Sequence, residues 1–280
     1  MKRTVFPITV LSAVSALVLS ACGLAFIPGS GKISSATRNV SGFDTVVFAA
    51  PGQMNLVQGS SEGLKIETDD NLLQYIQTRV DGGTLYIEVA PGVNLVPTHD
   101  ISYSLNVKTL KAFNLDGSAQ VTTAGLSGDA FELNLDGSGD IALGDVKLNG
   151  LTFNLNGSGS LTLKTLAAKK VSLGMNGSGK GTLNGLAADE LDAHIDGSGE
   201  YILNGKVARQ DLQTIGSGNY DAQKLESQQA TITITGSGDS RVWATQVLKV
   251  SIFGSGSVAY QGTPKVTQQV SGSGSVYAIE

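Results

Sequence analysis

The 280-residue chain holds one cysteine, two histidines, one tryptophan and six prolines, and each scarcity narrows what it can do. With Cys22 alone, no internal disulfide can form, so stability in an oxidising compartment must come from packing. His99 and His194 lie far apart without a neighbouring Cys or second His, which argues against a zinc site or a nucleophilic triad. No metal and no cofactor is assigned. Positive charge is in deficit, with 19 Lys and Arg against 24 Asp and Glu and a net charge of −5. Nucleic acid and anionic headgroups are poor partners for such a surface. Long apolar runs are missing too: the stretch Val5 to Leu19 falls short of the roughly 20 residues that span a bilayer as a helix.

That stretch follows Lys2 and Arg3 and leads into small residues, which is the pattern of a secretory signal over residues 1–21. Leu19-Ser20-Ala21-Cys22-Gly23 closes it and resembles a bacterial lipobox. The resemblance implies cleavage before Cys22, with lipidation of its sulfur and usually of its new amine, so that two or three acyl chains anchor the protein in a membrane. Without Asp after Cys22, the implied location in a two-membrane bacterium is the outer membrane; otherwise it is the outer face of the cytoplasmic membrane. Residues 22–37, with Pro28-Gly29-Ser30-Gly31-Lys32, are expected to be a flexible tether.

Gly-Ser-Gly or a near variant then recurs, its first Gly at 117, 137, 157, 177, 197, 216, 236, 254 and 272. Such a period means stacked units, each packed mainly on its neighbours. Before each corner, apolar residues alternate with polar ones: Phe113 and Leu115 flank Asn114, Leu133 and Leu135 flank Asn134, Phe153 and Leu155 flank Asn154. After it, pairs such as Ile141 and Leu143 resume the alternation, so each unit reads as strand, corner, strand. Leucine-rich repeats and propeller blades differ from this in consensus or period. The sequence predicts an all-β fold: a right-handed parallel β-helix of about nine coils of ~20 residues over residues 111–280. Residues 38–110 carry less regular strand patterns and are expected to cap its amino-terminal end, in one continuous domain with the coils. Within them, Asp70 to Ile76 has the spacing of a short helix.

Asn39-Val40-Ser41-Gly42-Phe43-Asp44, Glu67-Thr68-Asp69-Asp70-Asn71-Leu72-Leu73, the repeated Gly-Ser-Gly and the closing Val270-Ser271-Gly272-Ser273-Gly274-Ser275-Val276 together resemble the head GIN domain family. The resemblance runs from about Arg38 to the last residue and implies a β-helical auto-transporter adhesin without an assigned biochemical role.

Catalytic groups are sparse. Asp116, Asp136 and Asp196 share a column interrupted by Asn156 and Asn176, and turn chemistry before Gly accounts for them. The nine-residue period of a calcium-binding repeat is missing around Gly137-Ser138-Gly139-Asp140, and no helix follows the glycines to cradle phosphate. The chain is therefore expected not to be an enzyme. The candidate binding surface is the outward ladder Asn114, Asn134 and Asn154 with Asp116, Asp136 and Asn156, which offers amides and carboxylates to a glycan or an envelope protein. The competing role for that ladder is structural, each Asn bonding the next. Trp243, also outward by the alternation, is a candidate for stacking on a sugar. Two further functions stay open: a self-associating module using its carboxyl-terminal edge, and a pectinase-like, polysaccharide-active β-helix enzyme.

Overall fold

The structure is a computed structural model that describes residues 25–279. Cys22 and the signal over residues 1–21 lie outside the described residues.

From Ala112 onward the chain winds as a parallel β-helix, as the periodicity requires. Strands before the corner pair in parallel and in register, Leu115 with Leu135, Leu135 with Leu155, Leu155 with Met175 and Met175 with Ile195. The strands after the corner do the same, Ile141 meeting Leu161 and Leu163 meeting Leu183. Nine corners enclose about eight turns. They stand in a file, because the amides of the middle serines from Ser138 to Ser255 donate to the carbonyl of the first glycine one coil back. Ser138 to Gly117, Ser158 to Gly137 and Ser178 to Gly157 are all 2.9 Å.

Glycine is required at two places in this corner. The first of each triplet holds φ between 113° and 140°, and a Cβ on Gly157 would collide with the carbonyl oxygen of Gly137. The third sits over a core side chain: a Cβ on Gly139 would come within 2.8 Å of Leu115 Cδ2. The interior columns are dry and close-packed, with Phe113, Leu133, Phe153, Leu173, Ile232 and Val250 all buried. Where one coil gives up volume its neighbour supplies it, as Tyr201 fills the space left over Gly181. One polar chain crosses the core. Gln210 stands in the column of Leu191 and Ala230, accepts from the Tyr220 hydroxyl at 2.9 Å and donates to Ser227 Oγ at 2.8 Å, which donates to the Trp243 carbonyl.

The amino-terminal region is the β-rich cap that its sequence suggests, and part of it continues the coils. Thr45–Ala49 and Gln53–Gln58 pair in parallel with Ala112–Gly117 and Gln120–Ser127, so they form a further rung of the same helix. Thr84–Val89 and Ser102–Val107 form another rung outside that one, again in parallel. Spatial order thus reverses chain order. The outermost rung is closed by antiparallel strands: Ile76–Asp81 on Thr84–Val89, and Gly63–Asp69 on Ser102–Val107 with Ile33–Arg38 beyond it. The core runs unbroken from Val40 through these rungs to Val258.

Two local expectations are corrected. Asp70 to Ile76 holds a single 3₁₀ turn, Leu73–Tyr75, because Asp70 binds Ser30 Oγ at 2.6 Å and the Lys32 ammonium instead of capping a helix. Residues 25–38 do not form a flexible tether. Ala25–Pro28 pairs with Val93–Val96, and Ile33–Arg38 with Gly63–Asp69. The buried Asp69 carboxylate fastens the turn between them, accepting from the amides of Gly31 (2.7 Å) and Thr98 (2.9 Å) and from Thr98 Oγ1 (2.7 Å). Those bonds, the Thr98 hydroxyl first, hold its pKa below the usual carboxylate value.

Candidate functional site

The strands that precede the corners make one broad face, in which alternate side chains point out in three columns. The middle column runs Asn114, Asn134, Asn154, Gly174, His194, Gln213 and Thr233 in successive coils. Parallel register places equivalent residues one strand spacing apart, so their side chains meet. Asn134 Nδ2 donates to Asn114 Oδ1 at 2.8 Å and Asn154 Nδ2 to Asn134 Oδ1 at 2.9 Å. The three amides therefore form a directional chain. A large part of the ladder's capacity is spent on itself, which is the structural role set against binding above.

Beside it lies the column of Asp116, Asp136 and Asn156. Asn156 Nδ2 donates to Asp136 Oδ1 at 2.7 Å. Asp116 has no such partner among the described residues; partial burial, with Asp136 and Glu88 nearby, raises its pKa. The same coil-to-coil pairing recurs elsewhere, as in Thr165 with Asp145 (2.8 Å), Lys180 with Glu200 (2.8 Å) and Lys206 with Glu226 (2.8 Å).

The amide chain stops at Gly174. A Cβ there would lie 2.9 Å from Asn154 Oδ1, and without one that oxygen faces open space with no protein donor among the described residues. The missing side chain opens a shallow depression of about 660 Å³, lined by Asn154, Ser172, Asp192, His194, Asp211 and Gln213 among others. Lys170 pairs with Asp192 at 3.3 Å and Arg209 with Asp211 at 3.2 Å, so both carboxylates are partly neutralised at its rim. Sequence reasoning had named Asn154 as a binding group, weighed His194 only as a metal or catalytic residue and set it aside, and passed over Ser172, Asp211 and Gln213. The legible signal was Gly174 itself, a gap in a column of amides. A smaller depression on the other side of Gly174 is lined by Asn156, Asn176, His194 and Asp196.

The remaining candidates lie elsewhere. His99 sits in the cap, 3.0 Å from Thr98 Oγ1. Trp243 is on a strand that follows a corner, half-buried and away from the ladder. Among the described residues no three His, Cys, Asp or Glu side chains gather as a metal-holding group, and no helix is long and apolar enough to cross a membrane.

A family model described as "Putative auto-transporter adhesin, head GIN domain" matches residues 42–167 and 152–264. The chain belongs to the head GIN domain family. No curated protein sequence matches it. Three solved structures are similar over 91% of this chain and 100% of theirs. One is described as a putative lipid binding protein from Parabacteroides distasonis (27% identity, TM-score 0.72). Two are described as putative adhesins, from Parabacteroides merdae (24%, 0.73) and Parabacteroides distasonis (24%, 0.74). The last two show that the head GIN fold is shared. All three are described as adhesins or a binding protein, and the family suggests a surface or envelope protein.

Proposed function

We propose that this head GIN domain protein is a non-catalytic lipoprotein of the cell envelope, anchored through Cys22, whose outward face binds a glycan. The observation that carries the reading is the break in the amide ladder at Gly174. It leaves an unpaired carbonyl oxygen on Asn154, an imidazole on His194 and an amide on Gln213 around one open depression. A sugar presents hydroxyls that both donate and accept, which this mixture of groups matches, and a rigid sheet holds them without an ordering cost on binding. The shallowness fits an extended chain better than a small enclosed ligand.

A glycan array probed with the soluble ectodomain tests this. Binding is expected to fall about tenfold or more for His194→Ala and for Gly174→Asn, which would extend the amide chain across the gap. No binding above that of a scrambled-surface control removes the reading. A second function, self-association, rests on the last coil: its inward positions are only partly covered, with Val270 40% exposed and nothing paired to its outer edge among the described residues. Light scattering at high concentration decides that point, since a strict monomer eliminates it.

A further inference from the structure

The ribbon formed by Ala25–Pro28 and Val93–Val96 stands apart from the main sheet and has two unlike faces. Ile27, Val93 and the buried Leu95 turn inward and pack on the core. The opposite face presents Phe26, Pro28, Asn94 and Val96, with no charged side chain. Phe26 is 66% exposed and Val96 46%, an unusual outlay of apolar surface on so short an element.

The ribbon is also fixed in place. Ala25 donates to the Gly92 carbonyl (2.9 Å), Gly29 to the Val96 carbonyl (2.8 Å), and Asn71 Nδ2 to the Pro28 carbonyl (2.8 Å). In sequence only Gly23 and Leu24 separate it from Cys22. Four residue steps, even fully extended, bring the Phe26 Cα within roughly 14 Å of the Cys22 Cα. If the Cys22 sulfur carries acyl chains in a bilayer, the ribbon is held at that bilayer's surface.

We infer that the outward face of this ribbon, Phe26, Pro28 and Val96, is a membrane-docking surface that seats the cap against the lipid interface, so that the coil stack projects outward from a fixed base instead of swinging on a leash. The inference rests on the lipidation of Cys22 given under Proposed function. An aromatic ring flanked by proline and valine suits the headgroup–acyl boundary, and the lack of charge removes the main cost of entering it. The occupant is the lipid itself, because the anchor leaves no distance for a protein layer between.

Cys22 is the sole cysteine, and acylation blocks its thiol, so an introduced cysteine takes a single environment-sensitive dye. The lipidated full chain is labelled at Phe26→Cys, at Val96→Cys, or at Phe253→Cys on a distant coil, and reconstituted in phosphatidylethanolamine–phosphatidylglycerol vesicles. Flotation reports the anchor and dye emission reports docking. The expected result is flotation of all three, with blue-shifted emission and strong quenching by brominated lipid at 26 and 96 and neither at 253. Flotation with dyes at 26 and 96 as open to aqueous quencher as at 253 overturns docking while leaving the anchor intact. Failure to float removes the anchor, and docking with it. A blue shift that persists in unacylated ectodomain without vesicles assigns the face to a second copy of the chain and equally overturns the proposal.

Discussion

At its amino-terminal end the outermost rung of the stack is paired by antiparallel strands, and Leu64, Ile66, Leu72 and Ile76 are buried there. At the other end, Lys265–Gly272 and Ser275–Ala278 repeat the parallel register, but their inward positions are only partly covered: Val266 and Val276 are half-buried, Val270 is exposed and Gln268 occupies a core column. The same local pattern thus yields core in one place and surface in another. Burial in a solenoid is conferred by the neighbouring coil, and a rung with one neighbour gains roughly half of it.

Substitutions at equivalent positions sharpen this contrast. Phe153→Ala, in mid-stack, should cost about 3–5 kcal/mol in urea unfolding, whereas Val270→Ala should stay within about 0.5 kcal/mol. Similar losses at both would mean that the last coil is covered in solution. The corner glycines should show the next largest difference. Gly157→Ala and Gly272→Ala both force alanine to a φ near +130° against a carbonyl oxygen of the preceding coil. The first is expected to cost about 3 kcal/mol and the second about 1 kcal/mol, because the terminal coil can shift outward.

Acid should separate the cap from the ladder more gently. Asp44, beside Lys111, Asp69, bonded by Thr98, and Asp70, bonded by Ser30, all have pKa values held below the ordinary carboxylate value. Their contribution is complete above that value, about 3.9 in an unfolded chain, and fades as pH falls through the lower folded values. Asp116 runs the other way: its raised pKa makes ionisation unfavourable, and the penalty present at neutral pH is relieved on acidification. Hydrogen-exchange protection, taken relative to the intrinsic rate at each pH, should therefore fall between pH 7 and pH 3 in residues 25–38 before residues 112–137. Asp69→Asn should reproduce the loosening at pH 7, by about tenfold in exchange rate, while Asp116→Asn should leave it unchanged. Uniform loosening would contradict the contrast.

The coils were legible because a twenty-residue period writes each contact into the sequence: Leu115, Leu135 and Leu155 are neighbours in space and equivalent in the repeat. The two cap rungs were not. Their corners lack the signature, one being Ala50-Pro51-Gly52 and the other swollen into the excursion from Ala90 to Ile101, and their spatial order inverts their chain order. The folded segment at residues 25–38 was hidden for a different reason. Glycine and serine at 29–31 look flexible in isolation, and the groups that hold them, the Asp69 and Asp70 carboxylates, the Asn71 amide and the Val96 carbonyl, all lie 38 residues or more further along the chain. Asn114, Asn134 and Asn154 were read in the right column, but hydrogen bonding along the ladder leaves the open group at its end, beside a glycine.

The inverted order of the cap rungs bears on how the chain is built. Because Thr45–Gln58 is sandwiched between strands that end at Val107 and begin at Ala112, the cap can close as soon as the first coil begins to emerge. From then on each arriving segment of about twenty residues finds a finished template and pairs with the chain just before it, so separations in sequence stay short. Assembly would proceed as growth on a seed, from the cap toward the carboxyl-terminal coil, with one exposed growing edge at a time.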